Sequence, residues 1–124
     1  MDSTEEIKRT LLDYYEAFHK KEWDKFAGYL TDNFRYFTDK TTILNKEKFV
    51  DFLSKDEWQG NDYKVYDIDI HVSAGGDIAW GTYKTSFTGI FREKEMTVTA
   101  IETSVFVKEN GGWKIGHHHT SNKA

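Results

Sequence analysis

Three consecutive histidines near the end of the chain are its most conspicuous chemical feature. Because successive strand residues point to opposite faces, His118 is predicted to share one face with Thr120. The same alternation groups four residues on the other face: Trp113, Ile115, His117 and His119. Two histidines separated by one residue can chelate zinc, but only with a third ligand and supporting hydrogen bonds. The run admits three interpretations: a structural histidine pair, a pocket role for one histidine, and a metal site.

A second group of potential metal ligands follows a strand pattern. Asp67, Asp69 and His71 alternate with apolar residues, so all three are predicted to lie on one face. Such a face could hold a metal, but polar residues alternating with apolar ones are also typical of the solvated side of a strand. The solvated face is the favoured interpretation, and neither a metal nor another cofactor is predicted for this chain.

Glu102 stands out because it interrupts the apolar alternation of a long strand from Val98 to Phe106. An unpaired buried carboxylate is costly, so Glu102 must face either water or a polar cavity. Alternation groups it with Ser104 and Phe106. The chain also carries 4 Trp, 7 Tyr and 9 Phe, which indicates a large core, an aromatic pocket or both.

The elements that must position these residues fall into two halves. Helical spacing in the first half predicts three helices: about residues 3–20 with a Ser3–Glu6 capping box, residues 23–30, and residues 46–55 with Asn45 as N-cap. A short strand is predicted at Phe34–Thr38. The second half alternates with period two and predicts four strands: residues 63–72, 78–88, 94–108 and 113–120. Helices followed by an antiparallel meander define one α+β domain spanning residues 1–124.

Composition excludes several classes of protein. The chain has no cysteine, which rules out disulfide frameworks, thiolate metal centres and cysteine nucleophiles. Its 21 acidic and 17 basic residues give a net charge of −4, which argues against a nucleic-acid surface. No apolar run approaches the roughly 20 residues of a membrane span, and no secretory pattern is evident. The protein is therefore expected to be cytoplasmic, with no nucleic-acid or membrane partner.

Several segments resemble a known superfamily. The helical pair Tyr14–Phe18 and Glu22–Asp32 resembles the start of nuclear-transport-factor-2-like proteins, in particular SnoaL-like and ketosteroid-isomerase-like members. The segment Asn110–Ser121 resembles their final hairpin. Together with Ile101–Phe106 it is also similar to the association domain of calcium/calmodulin-dependent kinase type II. The resemblance covers essentially the whole chain. It implies a cystatin-like α+β roll, in which a cone-shaped, curved antiparallel sheet is wrapped by three N-terminal helices around a deep pocket.

The resemblance also implies catalytic residues. Ketosteroid isomerase combines an Asp base with a tyrosine and a protonated acid that hold the oxyanion. By resemblance the tyrosine falls on Tyr14 and the acid on Glu102. The base falls on Thr38, and a threonine cannot serve as a base. Desolvation in an aromatic pocket would favour the neutral, donating form of Glu102. His118 would lie nearby and could exchange protons near neutral pH.

A wider pocket lining follows from the resemblance combined with strand alternation: Tyr36, Thr38, Trp80, Thr82, Ser104, Phe106 and Thr120. Thr82, Ser104 and Thr120 fall where the kinase association domain carries arginines, so a carboxylate-binding pocket is not predicted.

Two functions remain open from the sequence. The first is a small-molecule-binding protein for an apolar, oxygen-bearing ligand, with or without isomerase- or hydratase-like acid/base catalysis. The second is a non-catalytic association module. Members of the superfamily are commonly dimers, which implies a homodimer through the outer face of the sheet, with Val105, Val107, Trp113 and Ile115 at the contact.

Overall fold

The predicted α+β architecture is confirmed. The computed structural model describes residues 2–38 and 41–123, apart from the side chains of residues 122 and 123. The elements in chain order are α1 (Ser3–His19), α2 (Trp23–Gly28), β1 (Leu30–Phe37), β2 (Ile43–Asn45), α3 (Lys46–Ser54), β3 (Trp58–Val72), β4 (Ile78–Phe91), β5 (Lys94–Glu109) and β6 (Gly112–Lys123). In the part of the chain described, no helix is long and apolar enough to cross a membrane.

Two of the helices begin at a side-chain cap. Asp2, rather than the predicted Ser3, caps α1, and its carboxylate accepts a hydrogen bond from the Glu5 N–H at 2.9 Å. Asn45 caps α3 as predicted, and its side-chain oxygen accepts from the Lys48 N–H at 2.8 Å. Each cap satisfies a backbone donor that the helix leaves without an internal partner. The caps therefore define where both helices begin.

The sheet is six-stranded, curved and unclosed, in the order β2-β1-β6-β5-β4-β3. Neighbouring strands are antiparallel except for β1 and β6, which pair in parallel. The sheet is therefore mixed, where the sequence predicted a wholly antiparallel one. The parallel pair joins the helical half of the chain to the meander, and it carries Tyr36 of β1 beside His118 of β6.

A register break in β6 changes which residues face inward. Val105 of β5 pairs with His117, but the next residue, Phe106, pairs with Ile115. Gly116 is therefore an extra residue on β6, which is the pattern of a β-bulge. Beyond the bulge, alternation starts again in the opposite phase.

The bulge corrects one prediction about the outer face. Trp113 and Ile115 are buried in the core, not grouped with His117 and His119 on the outside. The prediction was wrong because it continued strict alternation through the extra residue at Gly116.

The core lies between the inner face of the sheet and the helices. The amphipathic face of α1 contributes Ile7, Leu11, Tyr14, Tyr15 and Ala17. From the other elements it meets a further set of fully buried apolar side chains: Phe26, Leu30, Phe34, Tyr83, Phe106 and Ile115. Packing α1 over the sheet fixes two tyrosines directly above the inner faces of β4, β5 and β6.

Candidate functional site

A cavity of about 330 Å³ lies between the helices and the inner face of the sheet. Half of the residues that line it are tyrosine, phenylalanine or tryptophan: Tyr14, Tyr15, Phe18, Phe26, Tyr36, Phe49, Trp58, Phe87 and Phe91. A small-molecule site is typically a concave, mostly apolar space of this size with a few polar groups that orient the ligand. The described residues provide both features.

The cavity runs along β5 from an open end to a buried one. Met96, Val98, Ala100 and Glu102 are alternate residues of this strand, and all four line the cavity. The first three are half-buried, whereas Glu102 is only 5% exposed. Six residues at about 3.3 Å each separate the two ends by about 20 Å. The more exposed end of the cavity is therefore near Met96 and its buried end is at Glu102.

The buried end is polar, and we call Thr85, Glu102, His118 and Thr120 the polar floor. The Nε2 atom of His118 lies 2.7 Å from Oε1 of Glu102, and the Thr120 hydroxyl donates to the same oxygen at 2.9 Å. A carboxylate only accepts, so Nε2 of His118 must carry the proton that it donates. In the neutral ring, Nδ1 is then an acceptor.

Glu102 is a carboxylate in this setting, which corrects the expectation of a neutral acid. Burial alone raises the pKa of Glu102. Hydrogen bonds from His118, Thr85 and Thr120 outweigh burial and leave this pKa below its ordinary value. The expectation failed because it considered desolvation without the partners, which favour the charged form.

Two tyrosine hydroxyls from α1 reach the histidine. The Tyr14 hydroxyl lies 3.4 Å from Nδ1 of His118, and the Tyr15 hydroxyl lies 3.5 Å from Nε2. Burial, followed by the nearby Tyr83 and Glu102, raises the pKa of Tyr14 well above its ordinary value. Burial and the same two neighbours also raise the pKa of Tyr15. Both side chains are therefore neutral phenols at physiological pH.

Ser104 lies behind the cavity wall rather than on its surface. Its hydroxyl bonds the Tyr83 hydroxyl at 2.8 Å, and Tyr83 bonds Tyr15 at 3.1 Å. Burial, and then the charge of Glu102, raise the pKa of Tyr83 far above its usual range. Sequence reasoning missed Tyr15, Tyr83 and Thr85. Tyr83 could have been found from the strand register, because it pairs directly with Glu102.

Of three further residues predicted to line the pocket, only Tyr36 does so. Tyr36 lines the cavity, with its ring 5.3 Å from that of His118 in a T-shaped arrangement. Phe106 is fully buried in the core and does not line the cavity. Thr38 lies just beyond β1, where its N–H and hydroxyl both donate to the Thr42 carbonyl, and it also lies outside the lining.

The placement of Trp80 and Thr82 in the pocket is wrong. Both are exposed, because Thr82 pairs with Thr103 and Trp80 pairs with Val105 on the outer face. The inward residues of β4 are the alternate set: Ala79, Gly81, Tyr83 and Thr85. The structure thus brings together Tyr14, Tyr36, Glu102, His118 and Thr120 among the predicted residues.

The other residues of the two predicted metal-ligand groups lie outside the cavity. His117 packs its ring 4.6 Å from that of Phe37, and burial followed by the charges of its histidine neighbours lowers its pKa. Asp69 and His71 form an exposed pair at 3.0 Å, and Asp67 pairs with Lys84 at 3.2 Å. Among the described residues, no group of three or more His, Asp or Glu is placed to hold a metal ion.

A family model described as the SnoaL-like domain matches residues 7–124, so the chain belongs to the SnoaL-like family. No curated protein matches the sequence. Solved structures with the same fold include a nuclear-transport-factor-2-like protein from Cytophaga hutchinsonii, with a TM-score of 0.88 and 15% identity over 99% of this chain and 100% of that one.

Two further solved structures differ from each other in their named roles. A Novosphingobium aromaticivorans protein provisionally named a scytalone dehydratase has a TM-score of 0.83 and 12% identity, over 98% of this chain and 84% of that one. The association domain of calcium/calmodulin-dependent kinase II from C. elegans has a TM-score of 0.79 and 18% identity, over 95% and 94%. At these identities the likeness establishes the fold alone.

Proposed function

We propose that this protein binds a small apolar ligand that carries oxygen or nitrogen at one end. The observation that carries the proposal is an aromatic cavity of about 330 Å³ that ends at a buried Glu102–His118 pair only 2.7 Å apart. Aromatic walls favour an apolar body, and the polar floor orients the end that reaches it. The Novosphingobium aromaticivorans neighbour, provisionally named a dehydratase, is compatible with such a site.

Acid/base chemistry on the ligand is the enzymatic form of this proposal. Thr38 cannot act as the base that ketosteroid isomerase has at the corresponding position. We assign the role of base to Nδ1 of His118, which faces the Tyr14 hydroxyl. Glu102 holds the opposite ring nitrogen and stabilises the imidazolium that protonation would form.

Filling the cavity tests ligand binding without assuming the ligand's chemistry. Ala100 lines the middle of the cavity, so Ala100→Phe should occupy the space that the ligand needs. Thr97→Phe is the matched control, because Thr97 is exposed on the same strand. Native mass spectrometry of gently purified protein should detect a released adduct in the wild type and in the control, but not in Ala100→Phe. An adduct retained at full occupancy by Ala100→Phe would contradict the proposal.

A homodimer through the outer face of the sheet is a second candidate function, compatible with the first. The observation in its favour is a set of exposed apolar side chains on this face: Ile78 at 45%, Trp80 at 46% and Ile101 at 60% exposure. On β5, the half-buried Val107 pairs with Ile78 and the half-buried Val105 pairs with Trp80. Exposed apolar side chains grouped on one face are typical of an interaction site. The association-domain neighbour supports the same candidate.

Charge placed on this face tests the dimer. Ile101→Asp and Val105→Asp should convert a dimer to a monomer in analytical ultracentrifugation, because a twofold interface would bring two copies of each new charge together. Leu12→Asp is the matched control, since Leu12 is an apolar residue of α1 that is 44% exposed. A dimer that survives both sheet substitutions does not use this face.

A further inference from the structure

The hydrogen atoms of the polar floor point at groups of the protein itself. The His118 Nε2–H and the Thr120 hydroxyl both donate to Oε1 of Glu102, at 2.7 and 2.9 Å. Thr85 supplies a further hydrogen bond to the same carboxylate. These donors are held by a buried acceptor whose hydrogen bonds are the strong, charge-assisted kind. They are poorly placed to donate to a ligand.

The two tyrosine hydroxyls above the floor also have internal acceptors. The Tyr14 hydroxyl faces Nδ1 of His118 at 3.4 Å, and Nδ1 is an acceptor while Nε2 carries the ring proton. The Tyr15 hydroxyl lies 3.1 Å from the Tyr83 hydroxyl. A ligand carbonyl that took the Tyr14 proton would leave Nδ1 without its donor, and an unsatisfied buried acceptor is costly.

The polar floor can therefore form further hydrogen bonds mainly as an acceptor. A carboxylate has about four lone-pair sites, and each hydroxyl oxygen can accept as well as donate. No lysine or arginine lines the described cavity, and Asp56 adds a second carboxylate at its exposed rim. An anionic ligand would meet negative charge at both ends of the cavity without a basic partner.

We infer that the ligand of this cavity presents a hydroxyl donor to the polar floor, on an uncharged, flat, apolar ring system. This inference rests on the proposed ligand-binding function and deepens it. The donor polarity is opposite to that of a ketone-binding site, in which protein hydroxyls donate to the ligand. A hydroxyl also satisfies the Glu102–His118–Thr120 cluster without disturbing its internal hydrogen bonds.

Matched ring compounds test the donor polarity. The probes are naphthol, its near-isostere methylnaphthalene, which has no donor, and acetylnaphthalene, which only accepts, all substituted at the same ring position. Isothermal titration calorimetry with wild-type protein at pH 7 should show naphthol binding at least about tenfold more tightly than either other compound, the effect expected of one hydrogen bond to a charged group. This comparison needs no variant, so it does not depend on any substitution folding.

A substitution at the floor then locates the effect. Glu102→Gln keeps the side-chain shape but adds an amide donor, so the naphthol preference should fall to within about threefold and acetylnaphthalene should gain. Glu95→Gln is the matched control, because Glu95 is exposed on the same strand and should leave every affinity unchanged. Circular dichroism melts confirm that each variant is folded before titration.

The outcomes separate this inference from the function on which it rests. Naphthol preferred in the wild type, with the preference lost in Glu102→Gln, supports donor recognition by the floor. Binding of all three compounds with equal affinity, or preference for acetylnaphthalene, overturns the inference and leaves the ligand-binding function standing. No binding by any of the three compounds counts against the proposed function itself, and the inference falls with it.

Discussion

Replacing Glu102 by glutamine isolates the contribution of one buried negative charge. Both partners in the pair are almost fully buried, with side-chain exposures of 4% for His118 and 6% for Glu102. Glutamine retains an acceptor oxygen but loses the charge that strengthens the bonds from His118 and Thr120. A hydrogen bond to a charged group contributes about 1.5–3 kcal/mol and a neutral one about 0.5–1.5 kcal/mol, so each bond weakens by about 1 kcal/mol.

Two weakened bonds predict a loss of about 2–3 kcal/mol in the free energy of unfolding at pH 7, less than the loss of about 3–5 kcal/mol expected when a partner of a buried pair is removed outright. With about 2.1 cal/mol/K of unfolding entropy per residue, 1 kcal/mol corresponds to about 4 °C in the melting temperature of a domain this size. The variant should therefore melt about 8–12 °C below the wild type.

The direction in which the stability difference changes with pH follows from the pKa of Glu102. The pKa of Glu102 is lowered in the folded protein, so its carboxylate contributes stability that is present above the unfolded pKa. That contribution is lost as the pH falls through the lowered folded value. Because glutamine does not titrate, the stability gap between wild type and variant should be largest near neutral pH and should narrow in acid.

Urea denaturation across a pH series measures this gap, with Glu95→Gln as the exposed control. A gap under about 0.5 kcal/mol at pH 7, within the range of an ordinary surface substitution, would refute the charge-assisted network. A gap that widens as the pH falls would show instead that Glu102 is a neutral acid in the folded protein.

Three other predictions follow from the packing. Gly89→Ala should lower the melting temperature and change tryptophan fluorescence, because the new Cβ would collide with the Gln59 carbonyl and lie 2.7 Å from the Trp58 ring at the cavity rim. Phe49→Ala should weaken binding of a ring ligand while Trp80→Ala should not, since only Phe49 lines the cavity; equal effects in calorimetry would contradict the assigned faces. Trp113→Ala should cost about 3–5 kcal/mol in urea denaturation, because Trp113 is a core residue; a small loss would mean that it is not.

Much of the site could be predicted from the sequence where polar and apolar residues alternate clearly along a strand. On β5, Glu102 and Ser104 alternate with apolar residues, and this grouping is correct, with both on the inner face. The face shared by His118 and Thr120 is also correct, and these residues converge on Glu102. A polar residue between apolar ones must face either water or a polar cavity, so one further observation about its face decides between the two.

On β4 the sequence offers no such contrast. Both faces carry an aromatic residue and a threonine: Trp80 and Thr82 on one, Tyr83 and Thr85 on the other. Packing decides, because a Cβ at Gly81 would lie 2.7 Å from the Ile70 side chain, so the inward face is the one with small residues. That contact joins β3 and β4 in three dimensions and has no counterpart in local periodicity.

The chemistry at Glu102 shows why position within a fold does not define a function. By resemblance its place is that of an acid that donates a hydrogen bond while protonated. Here the parallel and antiparallel neighbours of β6 bring His118 within 2.7 Å, and this contact with Thr85 and Thr120 keeps the carboxylate charged. The same position therefore accepts hydrogen bonds instead of donating them. The acceptor character of this position is therefore set by His118 and Thr120 as much as by the acid itself, and it follows from these hydrogen bonds rather than from the fold.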